Sequence, residues 1–422
     1  MRSTNVLLRA LSAAAIAGIL LIAGCTKDAP QGLYDPNAVN TVGAPAVTSV
    51  VPEGAPYVLG GITTILINGS GFPTDTSQLN VYFNSVRMTI ASATATQLKI
   101  VAPNMILDSI KVRIFITGSE VFSDLKYVSI RSAFTLVSAI DTSKVYPKTI
   151  TTNKQGDLFV SVILKSTNNS DGLYKVSASG VQTQYALRAA APLSPEANFT
   201  GLKAKGDSLY AARGARLIVS RNSGSGAMNI YTASFPSTPL AINVDDFDYD
   251  ANRYLWAGGS SSNGGLLRID SHKVVTRYDL AGQLTGTIRS VRVFNGAVFV
   301  SNESSDSVNA VYRIPINADT TLGTPTKYFD LTALLGSKLN KLYGLTFDNS
   351  GNLYVGTDAP AGIYVVAPDK SVQPLYNGLF GSPCKYLAWG NDSYMYASKD
   401  VGNAGVYKID MLGKLSAPYY GQ

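Results

Sequence analysis

The sequence predicts an all-β protein, an N-terminal immunoglobulin-like sandwich followed by a six-bladed β-propeller. Three observations predict it. Glycine (38) and tyrosine (24) are abundant among 422 residues, which suits strands and tight turns better than helices. Between residues 45 and 130, short alternating runs broken by turn residues give about seven strands, the count of a small sandwich. From about residue 145 onward, one turn-plus-strand pattern recurs six times. Hydrophobic residues are 45% and charged residues only 15%, so a large core can be buried and global disorder is excluded.

The first element is a targeting segment. Arg2 and Arg9 precede an apolar run from Ala10 to Ile22, shorter than a membrane span and shaped like the apolar region of a signal peptide. It ends in Leu21-Ile22-Ala23-Gly24-Cys25. Small residues before a cysteine resemble the lipobox of bacterial lipoproteins. That resemblance implies cleavage after residue 24 and a lipid on Cys25. The following Lys27-Asp28 resembles the export signal that sends Bacteroidetes lipoproteins to the cell surface, so the expected location is the outer membrane, lipid-anchored and outward-facing. Residues 25–43, rich in Asp, Pro, Gly, Asn and Thr, read as a flexible tether.

Removing residues 1–24 removes two arginines and no acids, so the mature chain carries 33 basic and 28 acidic residues, or +5. The charge is scattered, and a nucleic-acid footprint needs clustering, so no nucleic-acid partner is expected. Cys384 remains as the one unmodified thiol and reads as a small core residue.

The sandwich occupies residues 44–131. Strands are expected at 46–50, 63–68, 80–83, 88–91, 97–101, 109–116 and 126–130. Pro45-Ala46-Val47-Thr48-Ser49-Val50-Val51-Pro52, then Gly60-Gly61, then Ile65-Leu66-Ile67-Asn68-Gly69-Ser70-Gly71-Phe72, resemble the IPT/TIG domain signature. Val81-Tyr82-Phe83-Asn84 and Ala102-Pro103 continue it. Gly69 and Gly71 permit a tight turn that folds Phe72 back as a core anchor. The resemblance implies a spacer or binding module.

The repeat fills residues 132–422. Its units are Gln155-Gly156-Asp157-Leu158-Phe159-Val160, Gly206-Asp207-Ser208-Leu209-Tyr210-Ala211, Ala251-Asn252-Arg253-Tyr254-Leu255-Trp256, Asn295-Gly296-Ala297-Val298-Phe299-Val300, Ser350-Gly351-Asn352-Leu353-Tyr354-Val355 and Asp392-Ser393-Tyr394-Met395-Tyr396-Ala397. A second strand follows each, then a third bearing a tyrosine (Tyr185, Tyr231, Tyr278, Tyr328, Tyr376 and Tyr419 or Tyr420). The spacing of roughly 42 to 55 residues is that of a four-stranded blade. The stretch from Phe347 to Val355 resembles the NHL-repeat consensus, which makes the unit an NHL-like β-propeller. Two segments, 133–137 and 416–420, fit the outer strand of the last blade, and the sequence leaves the choice open.

Trp256 and Trp389 fall on repeated aromatic positions and read as core residues. His272, the single histidine, falls in the turn Asp270-Ser271-His272-Lys273 on the rim, which leaves no multi-histidine metal site. Asp245-Asp246-Phe247-Asp248-Tyr249-Asp250 is acidic enough for calcium, but alternation along a strand splits these aspartates between the two faces, which argues against it. No metal or other cofactor is expected.

Strand register places Lys148, Asp245, Asp246, Arg289, Tyr343, Lys385 and Tyr386 where the inner strands begin, at the mouth of the central channel. Charges mixed with tyrosines suit polyhydroxylated ligands, which need hydrogen bonds and an apolar face. With no nucleophile–base pair or metal cluster in view, no catalytic residue is assigned. The expected function is a surface lipoprotein that binds a polysaccharide, glycan or other polymer through the propeller, with the sandwich as spacer. The partners are then the membrane, the glycan or a protein ligand, and an outer-membrane transporter complex. The alternatives are a hydrolase, lactonase or lyase of the propeller type, or a protein–protein scaffold.

Overall fold

The structure, a computed structural model, describes residues 43–119, 121–186, 188–189, 198–221, 227–232, 242–260, 265–280 and 282–420. The targeting segment and Cys25 lie outside the described residues. By compactness the residues group into two units, one taking in 68–98 and 111–126 and the other 50–67, 99–110 and 127–420. No described helix is long and apolar enough to cross a membrane.

The N-terminal strands form two sheets. One orders 46–52, 64–70, 97–101 and 90–93; the other orders 58–59, 126–131, 107–116, 79–83 and 86–88. The expected strand at 88–91 is in fact two, 86–88 and 90–93, and the pair 58–59 is additional. Alternation dictates the packing: Val81, Phe83, Ile110, Val112 and Ile114 turn inward and are fully buried. Gly69 is required by a close approach, since a Cβ there would stand 2.0 Å from the Ala46 carbonyl oxygen. Gly71 has φ +76°, and Phe72 is buried, as the sequence pattern demands.

The remaining described residues form six four-stranded blades. Blade 1 holds strands 145–152, 158–164, 170–176 and 182–186. Blade 2 holds 201–205, 208–213, 216–221 and 227–230, with the pair 188–189 added at its edge. Blade 3 holds 243–249, 255–260, 266–269 and 275–278; blade 4 holds 287–294, 297–303, 309–315 and 326–330. Blade 5 holds 342–347, 353–357, 363–366 and 372–374. The inner strands neighbour one another in cyclic order, and the first meets the last.

Blade 6 settles how the ring closes. Its strands 386–389, 394–399 and 405–410 are completed by 134–136, with Phe134 opposite Ile409 and Leu136 opposite Tyr407. The competing segment goes elsewhere. Ser416 bridges Asp348 beside blade 5, and the half-buried Tyr419 has its hydroxyl enclosed near Asp248 and Arg292. Of the expected third-strand tyrosines, Tyr231 lies just past the strand 227–230, and Tyr376 lies in a 3₁₀ turn at 375–378 because the fourth strand of blade 5 ends at Pro374.

Six apolar clusters separate the blades, one per interface. Phe159 packs with Leu202 and Leu209 between blades 1 and 2. Tyr210 packs with Phe247 and Leu255 at the next interface, and Trp256 with Val291 and Val298 at the one after. Phe299 meets Leu345, Tyr354 meets Leu387 and Met395, and Ile150 and Leu158 meet Ala388 and Val406. The repeated aromatic position is therefore blade-to-blade core. Tyr185, Tyr231, Tyr278 and Tyr328 each set an edge or tilted ring against the aromatic of their own blade, at 4.9 to 5.5 Å between centroids.

Two of these aromatics give their polar tip to a buried aspartate. Trp256 Nε1 donates to Asp250 at 2.8 Å, and the Tyr354 hydroxyl donates to Asp348 at 2.9 Å. The same aspartates accept backbone amides of their turns, at Tyr254 and at Ser350 and Asn352. One side chain thus fixes both turn and core residue. Trp389 is buried as expected, and so is Cys384, where burial pushes the thiol up and leaves it inert. His272 lies exposed in its turn.

Candidate functional site: the mouth of the propeller channel

Four inner strands carry a register shift near their start, between Pro147 and Ile150, Val244 and Asp246, Ile288 and Ser290, and Leu342 and Leu345. A β-bulge inserts a residue that has no cross-strand partner and re-aims its side chain. The inserted positions include Lys148, Asp245, Arg289 and Tyr343. In blade 6 the strand begins at Tyr386, directly after Lys385. All seven residues expected at the mouth, Lys148, Asp245, Asp246, Arg289, Tyr343, Lys385 and Tyr386, line one cavity of about 210 Å³ where the inner strands begin.

The charges are layered. Lys148 and Lys385 both reach the Asp400 carboxylate, at 3.2 and 2.8 Å. Arg289 Nε donates to Glu303 at 2.9 Å, and Lys341 reaches the same carboxylate at 3.0 Å. Tyr343 stands between the two groups, with Arg289 5.7 Å and Lys385 5.4 Å from its ring centroid. Burial disfavours the Asp400 and Glu303 charges, but the cations outweigh it and hold both carboxyls below their usual range. Burial raises the Tyr343 hydroxyl to about 12, so it stays a neutral donor.

Deeper in, the order of effects reverses. Burial raises Asp245 to about 6, against attraction from Arg289 and with repulsion from Asp246. Burial raises Asp246 to about 7, although it accepts bonds from Ser290 Oγ and the Val291 amide. Lys203 is its nearest cation, but 3.7 Å is too long for a hydrogen bond, so burial dominates. Asp248 is pushed up by burial too, while accepting the Val293 amide. Asp246 and Asp248 therefore tie blade 3 to blade 4.

Lys203 and Arg292 mark the floor of this cavity, and they also border a second cavity of about 330 Å³ at the opposite ends of the inner strands. The wall of that second cavity includes Leu415, Ser416, Ala417 and Tyr419 from the C-terminal segment.

The sequence misses Asp400, Glu303, Lys203 and Arg292. Glu303 pairs across from Thr287, so it arrives at the mouth only through strand register. Lys203 and Arg292 sit deeper on inner strands, and alternation along those strands was the available signal. Among the described residues, no group of three or more His, Cys, Asp or Glu side chains is placed to hold a metal.

Solved structures with related folds include an auxiliary nutrient binding protein from Bacteroides thetaiotaomicron (11% identity, 90% of this chain and 99% of that one, TM-score 0.47). Regucalcin, a calcium-binding protein from Agrobacterium tumefaciens, matches at 16% identity over 67% of this chain and 96% of its own (TM-score 0.49). Virginiamycin B lyase from Staphylococcus aureus matches at 14% identity over 64% and 86% (TM-score 0.43). Likenesses this distant carry no functional argument; the sheets themselves define the fold. No curated protein matches the chain in sequence. The N-terminal sandwich matches the IPT/TIG domain family over residues 45–130.

Proposed function

We propose that the protein is a surface-anchored binding lipoprotein, held at the outer membrane by a lipid on Cys25, that captures a glycan or other polymer at the mouth of its propeller. One observation carries the reading. Side chains from all six inner strands converge on a single cavity in which a tyrosine face, Tyr343, lies between cationic groups. Sugars are bound by such a pairing of an apolar face with fixed hydrogen-bonding groups. The IPT/TIG domain serves as spacer, and delivery of the polymer to a transporter partner follows from the surface location.

A glycan array probed with residues 26–422 tests this. Saturable binding that survives chelator and falls at least about tenfold in Tyr343→Ala supports the reading. Binding that is unchanged by Tyr343→Ala contradicts it.

The enzyme alternative has one observation in its favour. A carboxyl held near 7, as in Asp246, has the acidity of a general acid. Against it, the same carboxylate is committed to Ser290 and Val291 as a staple between blades. Turnover of an ester or polysaccharide abolished in Asp246→Asn would favour the enzyme.

A further inference from the structure

We propose that the ligand class at the propeller mouth is an acidic polysaccharide, one whose sugar units carry carboxylate or sulfate groups. The inference rests on the binding reading above and names what that site selects. Its basis is the layering of charge. Asp400 is shared by Lys148 and Lys385, and Glu303 by Arg289 and Lys341, so two carboxylates serve four cations. The carboxylates lie underneath, with side chains 6% and 16% exposed. The cations lie above them, 28–29% exposed for Lys385, Lys148 and Arg289 and 39% for Lys341.

An approaching ligand therefore meets positive charge first. One carboxylate cannot neutralise two cations, so Asp400 and Glu303 each leave one positive charge of their pair unmatched. Asp358 adds a third carboxylate nearby, held by the Lys341 amide at 2.7 Å. The balance among these groups still favours the cations. Deeper in, Lys203 and Arg292 stand 3.7 and 3.9 Å from Asp246 and Asp248 and add two cations against the three carboxyls Asp245, Asp246 and Asp248, each of which burial pushes toward its neutral form. Tyr343 between the two pairs offers the apolar face on which a sugar ring rests, while its neighbours take the anionic group. A nucleic acid needs a basic track longer than one channel mouth and stacked aromatic planes, neither of which this mouth provides.

The shared carboxylates also supply clean variants. Lys385→Gln leaves Asp400 paired with Lys148, and Arg289→Gln leaves Glu303 paired with Lys341, so neither strands a buried charge. The experiment measures binding of residues 26–422 to polygalacturonate, to the same polymer with its carboxylates methyl-esterified, to dextran sulfate, to neutral dextran and to a single-stranded DNA oligonucleotide. The expected result is binding to polygalacturonate or dextran sulfate, at least about tenfold tighter than to the ester or dextran, and weakened by added salt. Each lysine or arginine variant then loses about tenfold in affinity for the acidic polymer while its unfolding temperature holds.

Equal affinity for the esterified polymer overturns the acidic class. So does equal affinity for DNA, which would mean that the mouth reads charge alone. Tyr343-dependent binding to neutral glycans only overturns this inference and leaves the glycan-binding reading standing. Binding to none of these polymers and to no glycan on the array overturns both.

Discussion

At the scale of single residues, the same side-chain type serves opposite purposes according to what surrounds it. Asp400 and Glu303 are kept charged by two cations each, whereas Asp245 is surrounded so that burial wins and raises it to about 6. That difference is testable through stability. Asp245 binds its proton more tightly in the folded protein than in the unfolded chain, whose value is 3.8. Between those values the folded state holds more protons, so stability falls as pH rises through them. The facing groups are Arg289, which keeps Glu303 as partner, and Asp246. Asp245→Asn removes the titration. It is expected to be more stable than the wild type by about 1 kcal/mol at about pH 8, with the advantage gone at about pH 4. Thermal or urea unfolding across that range checks it, and a constant difference at every pH would contradict the assignment.

The residue scale also shows what a sequence can and cannot reveal. Phe159, Tyr210, Trp256, Phe299 and Tyr354 recur at one repeat position, and repetition alone marks them as core. The mouth residues follow from the same register, because each inner strand starts at the same end. Glu303 was invisible because its Arg289 partner sits at a bulge 14 residues away, and Asp400 because it lies just past the strand 394–399 and takes a lysine from another blade; no local pattern reports either pairing.

At the scale of elements, ring closure is the part that local pattern could not decide. Residues 134–136 and 416–420 both fit the outer slot of the last blade by their spacing, and the difference between them is topological. A strand that precedes blade 1 and completes blade 6 ties the start of the ring to its end, and removes the exposed edge that the strand 405–410 would otherwise present. The C-terminal segment is then left for another task. The Asn349 amide donates to the Leu415 carbonyl at 2.9 Å and the Ala417 amide to the Phe347 carbonyl at 3.1 Å, and the segment ends with a half-buried Tyr419 whose hydroxyl is enclosed beside the channel residues. Thr135→Pro removes one ladder donor opposite Lys408 and is expected to cost at least about 1 kcal/mol. Unfolding by denaturant measures it; an unchanged midpoint would mean that this strand does not secure the ring.

At the scale of the whole molecule, the propeller concentrates at one end of its axis what the sequence distributes over more than two hundred residues, from Lys148 to Asp400. The six interfaces are apolar and resemble one another, so they are the frame. The channel mouth is where the blades differ: lysine in blades 1 and 6, aspartate in blade 3, arginine in blade 4, tyrosine in blade 5. Variation on a repeated frame is how such folds acquire a site. The most direct test is amide hydrogen exchange on residues 26–422 with and without the polymer that binds best in the array. The expected result is slowed exchange confined to the starts of the inner strands, around residues 147–150, 287–291 and 342–345, with the rim turn at 270–273 unchanged. Protection confined to the sandwich strands or to the rim, with none at the inner-strand starts, would contradict the claim that the mouth is the binding site.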